Sequence, residues 1–100
     1  MLELSVVGNL GSDSSKVEWM GNKFLSFSVG VSEKRTNEKK EKIESTKWIS
    51  CTMSYSEVFE KYLKKGKKVF VRGRLKVKQW AKDGKTGIDI GIRVDNIIFL

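Results

Sequence analysis

The chain of 100 residues has no histidine and a single cysteine, Cys51, and these shortages narrow its chemistry. Histidine is the usual general acid or base near neutral pH and a common metal ligand. The acidic residues do not make up the difference, because none of them cluster at metal-ligand spacing. Neither G-x-x-x-x-G-K-[ST] nor G-x-G-x-x-G occurs, so the standard phosphate-cradling loops are missing too. Catalysis would have to rest on Asp, Glu and Lys alone, and the chain reads as a non-enzyme without a metal site. A lone cysteine excludes an internal disulfide and fits a reducing interior; Cys51 reads as a small core residue. No apolar run reaches the roughly 18 residues of a membrane span. The start, M-L-E-L-S-V-V-G, lacks the basic and continuous apolar blocks of a secretory signal. The expected location is the cytoplasm.

What the sequence does have is positive charge, and it is concentrated. The formal net charge is +8, with 39% hydrophobic and 32% charged residues, the balance of one globular domain over residues 1–100. Between Lys61 and Lys85 stand 11 basic residues against one acid, Asp83, whereas the rest of the chain is slightly acidic. A basic stripe on one quarter of a chain is the footprint of a polyanion partner. An anionic membrane would call for an amphipathic basic helix, but this basic segment has the pattern of a strand, so no membrane partner is expected.

That segment runs from Lys68 to Trp80 and splits, with a strand's period of two, into unlike faces. Val69, Val71, Gly73, Leu75 and Val77 make a core face, with Gly73 as the place to bend. Lys68, Phe70, Arg72, Arg74, Lys76, Lys78 and Trp80 make the other, a row of cations bracketed by rings. Like charges side by side repel, so the row suits an anion lying over it; the plainer alternative is an edge strand kept soluble by lysines.

The remaining strands follow from the same alternation. Residues 2–10 place Leu2, Leu4, Val6, Gly8 and Leu10 on one face. Lys16–Trp19 can add a short strand before a turn at Gly21-Asn22. Lys23–Ser32 points Leu25, Phe27, Val29 and Val31 inward and only Ser26, Ser28, Gly30 and Ser32 outward, a face that lets a ligand or a second chain approach the backbone. Glu33–Ser45 is charged, either a solvated loop or a hairpin arm. Thr46–Met53 sends Ile49, Cys51 and Met53 inward and Trp48, Ser50 and Thr52 outward. A helix is expected from Ser54 or Ser56 to Lys65, with Val58, Phe59, Tyr62 and Leu63 as its apolar stripe and Gly66 as its stop. After an Asp83-Gly84 hairpin, Ile88, Ile90, Ile92 and Val94 face inward, and the end, I-I-F-L, is apolar on both faces. Three strands, a short helix and two strands give an all-β class: a five-stranded OB-fold barrel with one short helix between strands three and four.

Single-stranded nucleic acid needs cations along its phosphates and flat surfaces for its unpaired bases. Arg72, Arg74, Lys76 and Lys78 supply the first. Trp48 and Trp80, then Phe70 and Tyr55 or Trp19, supply the second. Phe70 has the alternative of packing between subunits, and Trp19 and Tyr55 of simple structural roles. None of these contacts encodes much base identity.

The chain also resembles the bacterial single-stranded DNA-binding proteins of the homotetrameric OB-fold type. The matching stretches are V-V-G-N-L-G-S-D, F-S-V-G-V-S-E, T-K-W, Y-L-K-K-G-K-K-V-F-V-R-G-R-L-K-V-K-Q-W and V-D-N-I-I-F-L, in that order over nearly the whole length. The resemblance implies stacking of bases on Trp48 and Trp80, with Tyr55 at the place of a further aromatic, although the M-S-Y-S link to the helix is shorter than usual. It implies no cofactor, a nucleoid-associated location and a part in replication, recombination or repair. In S-E-K-R, a position that often holds a stacking tryptophan is Arg35 here, which would add a phosphate contact instead. The partners expected are single-stranded DNA and further copies of the chain, a tetramer or else a dimer. The acidic tip that recruits other proteins in typical members is not expected here. A second similar family is primosomal replication protein N, a dimeric adaptor between helicase machinery and DNA.

Overall fold

The period-two alternation becomes six strands in the computed structural model, which describes residues 2–100. They are β1 (Glu3–Leu10), β2 (Ser15–Trp19), β3 (Asn22–Thr36), β4 (Lys42–Ser54), β5 (Lys68–Lys82) and β6 (Lys85–Phe99), with helix α1 (Glu57–Tyr62) between β4 and β5. All neighbouring strands pair antiparallel except β4 and β6, which run parallel through Ser50↔Gly91, Cys51↔Ile92 and Thr52↔Arg93. The sheet runs β1-β5-β6-β4-β3-β2, and a further β1–β3 pairing at Asn9↔Gly30 and Leu10↔Val29 closes five of the strands into a barrel. This is the OB-fold barrel that the element order predicts, with β2 as the added short strand.

The core is apolar and contains the residues that the inward faces of β1, β3, β4 and β5 predict. Leu10, Leu25, Phe27, Val29, Ile49, Cys51, Met53, Val69 and Val71 are buried inside the barrel wall. Burial pushes the Cys51 thiol up to about 12, so the group stays neutral and unreactive in the folded chain. The helix is shorter than its apolar stripe suggests. Ser56, in extended backbone, caps it by accepting a hydrogen bond from the Phe59 amide at 3.4 Å. It ends at Leu63, and Gly66, at φ +85°, lies in the turn that follows. Leu63 is fully buried and Phe59 and Tyr62 meet Phe99, but Val58 stays in water, so the helix closes the barrel end with part of its stripe. The turn after it is tied to the N-L-G-S-D stretch: Gly66 donates to the Leu10 carbonyl and the Lys65 amide to Asp13.

One expectation fails at the far end of the last hairpin. Val77, Ile88 and Ile90 were expected in the core from their alternation; they are 56%, 62% and 43% exposed. Their strands continue beyond the barrel, where alternation still defines a face but no opposite wall covers it. The charged segment Glu33–Ser45 behaves similarly. It pairs as far as Thr36↔Lys42, making a hairpin arm whose tip is held by the Asn37 side chain accepting from the Lys39 and Glu41 amides. These two arms explain why the radius of gyration is 15.3 Å, against roughly 13 Å for a compact chain of this length. The turns are tight. Asp83 and Gly84 both take positive φ between Lys82 and Lys85, and Met20-Gly21, one residue earlier than expected, does the same between β2 and β3.

Candidate nucleic-acid interface

Strand register places Trp48, Arg74 and Lys76 on the outside of the barrel wall formed by β3, β4, β6 and β5, with Lys78 and Trp80 continuing the same face of β5 along its arm. Across that wall, one row reads Ser28, Ser50, Gly91, Lys76 and the next reads Ser26, Thr52, Arg93, Arg74. The floor is therefore short side chains, and the cations gather on β5 and β6. Trp48 stands opposite Gly30 on β3, and Trp80 opposite Gly87 on β6.

Both tryptophans lie on glycine. A Cβ added at Gly30 would come within 2.9 Å of the Trp48 ring, and one at Gly11 within 2.6 Å. A Cβ at Gly87 would collide with the Trp80 indole. Each ring thus packs closely against a cross-strand glycine and leaves part of its surface in water, with Trp48 58% and Trp80 42% exposed. A large apolar ring held in the open by a cross-strand glycine is a stacking platform. Gly87→Ala should lift the Trp80 ring off its seat while leaving the ladder paired. The expected result is an altered Trp80 emission spectrum and a several-fold weaker affinity for oligothymidine at unchanged thermal stability. Unchanged affinity would show that the seat is irrelevant.

The cationic row is real but less isolated than the sequence suggests. Arg72, Arg74, Lys76 and Lys78 are all exposed on one face of β5. Glu3 on β1 faces Arg74 in register, and Asp89 on β6 faces Lys78. Among the described residues the only ion pairs are Lys47–Glu33 and Lys64–Asp13, so the row's cations are not tied to those carboxylates. The carboxylates still lower the like-charge repulsion that the row would otherwise suffer. No three His, Cys, Asp or Glu side chains come together as a metal site would need, among the described residues.

The other candidates lie elsewhere. Phe70 is half-buried between Val7 of β1 and Ile98 of β6, two positions before Arg72 on the same face of β5. Tyr55 is half-buried against the core, with Lys16 4.8 Å from its ring centre and its hydroxyl donating to Glu60 at 3.4 Å. Burial first, then the Glu60 and Glu57 carboxylates, raise its pKa above the ordinary phenol value. Arg35 is exposed on the β3–β4 arm opposite Ile43, and by strand period it shares the face of Val29 and Val31, not that of Trp48. Two residues of the wall escape the sequence reading, Phe24 and Arg93, whose guanidinium lies over the Phe24 ring at 4.9 Å. Phe24 has the parity of Ser26 and Ser28, and that was the available signal; the contact with Arg93 joins strands that are distant in the chain.

A family model described as the single-strand binding protein family matches residues 1–100. The chain belongs to that family. Among its relatives, the single-stranded DNA-binding protein of Neisseria meningitidis serogroup A is 34% identical over 88 residues, covering 84% of this chain and 49% of that protein. Single-stranded DNA-binding protein 1 of Chlorobaculum tepidum is 31% identical, covering 85% and 54%. The chain thus spans about half the length of these family members. Solved structures agree on the fold. The small single-stranded DNA-binding protein of Streptomyces coelicolor superposes with a TM-score of 0.78 at 19% identity, over 98% of this chain and 93% of that one. The Plasmodium falciparum protein, solved in complex with single-stranded DNA, does so at 0.78 and 23%, over 100% and 95%.

Proposed function

We propose that this chain binds single-stranded DNA with little sequence selectivity and so protects unpaired strands in replication, recombination or repair. The observation that carries the reading is the outer wall itself: two glycine-seated tryptophans beside a floor of Ser, Thr and Gly bordered by Lys76, Lys78, Arg74 and Arg93. Bases stack on Trp48 and Trp80, and the phosphates follow the cations of β5, continuing past Arg72. Arg35, out on its arm, meets phosphate beyond the wall. Tyr55 is at most a peripheral stacking partner, with one ring face under Lys16. The function is binding, with no catalytic step and no cofactor. Family membership and the relatives' names support the same substrate class.

The working form is a homo-oligomer, a tetramer built from dimers. Val7 and Ile98, 45% and 49% exposed, flank Phe70 and make an apolar patch across β1, β5 and β6. That place favours Phe70 as a subunit contact over a role as a stacking ring. Light scattering should give a mass above that of one chain at micromolar concentration, and a monomer would contradict the assembly.

Binding through phosphates releases counterions, so log K should fall linearly with log salt by roughly 0.7 per contact on a single strand. Arg74→Ala should weaken binding to oligothymidine and to a mixed sequence alike and make that slope shallower by about one contact. Folding should be nearly unchanged, because the side chain is exposed. Loss of affinity for one sequence only, at an unchanged slope, would show base reading and refute the phosphate track.

A further inference from the structure

The Phe24–Arg93 pair belongs to a part of the wall that neither Trp48 nor Trp80 reaches. With Val17, Trp19, Thr52 and Lys76 it lines an open cavity of about 280 Å³. About 13 Å of β4 separates Thr52 from Trp48 at a strand's rise per residue, more than one base spans. Trp19 is 68% exposed and Val17 is 44% exposed, so neither is explained by burial within this chain. Arg93 is held in an unusual way for a surface cation. Its guanidinium lies 4.9 Å from the Phe24 ring centre, and it has no carboxylate within ion-pair distance among the described residues. A guanidinium backed by an aromatic ring is flat, permanently charged and weakly hydrated, and its free face accepts an unpaired base while its edge donates to oxygen. Lys76, one strand over, supplies a second cation at the cavity.

We propose that this cavity is a third base-binding subsite, in which one unpaired nucleobase stacks between Trp19 and the Phe24-backed Arg93 while its phosphate meets Lys76. The inference rests on the reading of the wall as a single-strand interface. It lengthens the path by a station beyond the two tryptophans, at the β2–β3 edge. Stacking supplies its affinity, so it discriminates little between bases.

The chain has three tryptophans, which makes the subsite separately observable. In a Trp48→Phe/Trp80→Phe variant, Trp19 is the only emitter and the two platforms remain aromatic. Anisotropy of a dye-labelled oligothymidine fixes the concentration that saturates this variant. At saturation the Trp19 emission should be quenched, and adding Arg93→Gln should remove the quench and weaken binding about fivefold, the lower end of what one stacked base supplies. As a second measurement on the unaltered protein, oligothymidine carrying 5-bromouracil should cross-link to Trp19 on irradiation. Saturated binding with unchanged Trp19 emission and no cross-link at Trp19 would overturn the subsite and leave the rest of the interface standing. A Trp19 emission change on concentrating the protein alone, with none added by DNA, would overturn it in favour of a subunit contact. No binding of the labelled strand by the unaltered protein would defeat the single-strand reading, and the subsite with it.

Discussion

Replacing Trp48 and Trp80 together by alanine should weaken binding to oligothymidine by about 2–6 kcal/mol, with each single substitution accounting for about 1–3 kcal/mol. The size follows from what each ring does. Folding leaves Trp48 58% and Trp80 42% exposed and both outside the core cluster, so each ring keeps apolar surface free to cover a base. The close approach of each ring to glycine restricts its placement in advance, which lowers the ordering cost of the contact. Both rings lie outside the buried core cluster, so the double variant should still fold, with a melting temperature lowered mainly by loss of the covered part of Trp80. A fluorescence anisotropy titration with labelled oligothymidine checks the affinity, and a melting curve checks the fold. A folded double variant with wild-type affinity would remove stacking from the mechanism.

Gly73→Val should be the most damaging single change to the barrel. At this point β5 shifts register against β6: Arg72 pairs with Asn96 and Gly73 with Val94, so Asp95 is the extra residue of a bulge. A Cβ at Gly73 would collide with the Arg93 carbonyl and come within 2.9 Å of the Val94 Cα. Those are backbone atoms and cannot rotate away, so the hairpin must separate or slip. The expected loss is roughly 3 kcal/mol or more, the upper part of the overpacking range, a large share of the ~5–15 kcal/mol that holds a domain together. A slipped ladder would also move Arg74, Lys76, Lys78 and Trp80 relative to β4. A urea denaturation midpoint is the measurement. A midpoint equal to wild type would mean that the close approach at the bulge is not needed.

The fold was largely legible in the sequence because strand alternation is a local signal. Phe27, Val29, Ile49, Cys51, Val69 and Val71 are buried where their parity puts them, and the ladder shifts at Gly73, where the long basic strand was expected to bend. Alternation says which face a side chain joins, but not where the barrel stops. Val77, Ile88 and Ile90 were therefore assigned to a core that ends before reaching them. The placement of the candidate residues was legible in kind and less so in detail. Trp48, Arg74 and Lys76 lie on the outside of the wall, and Lys78 and Trp80 continue the same face of β5 along its arm, as their spacing implies. What escaped depends on contacts between distant parts of the chain. Glu3 and Asp89 come to face Arg74 and Lys78 only through cross-strand register, and Arg93 meets Phe24 through the parallel β4–β6 pairing and its neighbours. Gly30 and Gly87 become seats for indoles for the same reason.

The central claim is that unpaired bases lie on the outer wall against exposed tryptophans while cations hold the phosphates. The most direct measurement is the intrinsic tryptophan emission of the unaltered protein, titrated with oligothymidine and with a duplex of equal length at several salt concentrations. The account predicts saturable quenching by the single strand, much weaker response to the duplex, and a midpoint that moves to higher DNA concentration as salt rises. Tight binding of the single strand with no change in emission, or equal response to the duplex, would contradict it.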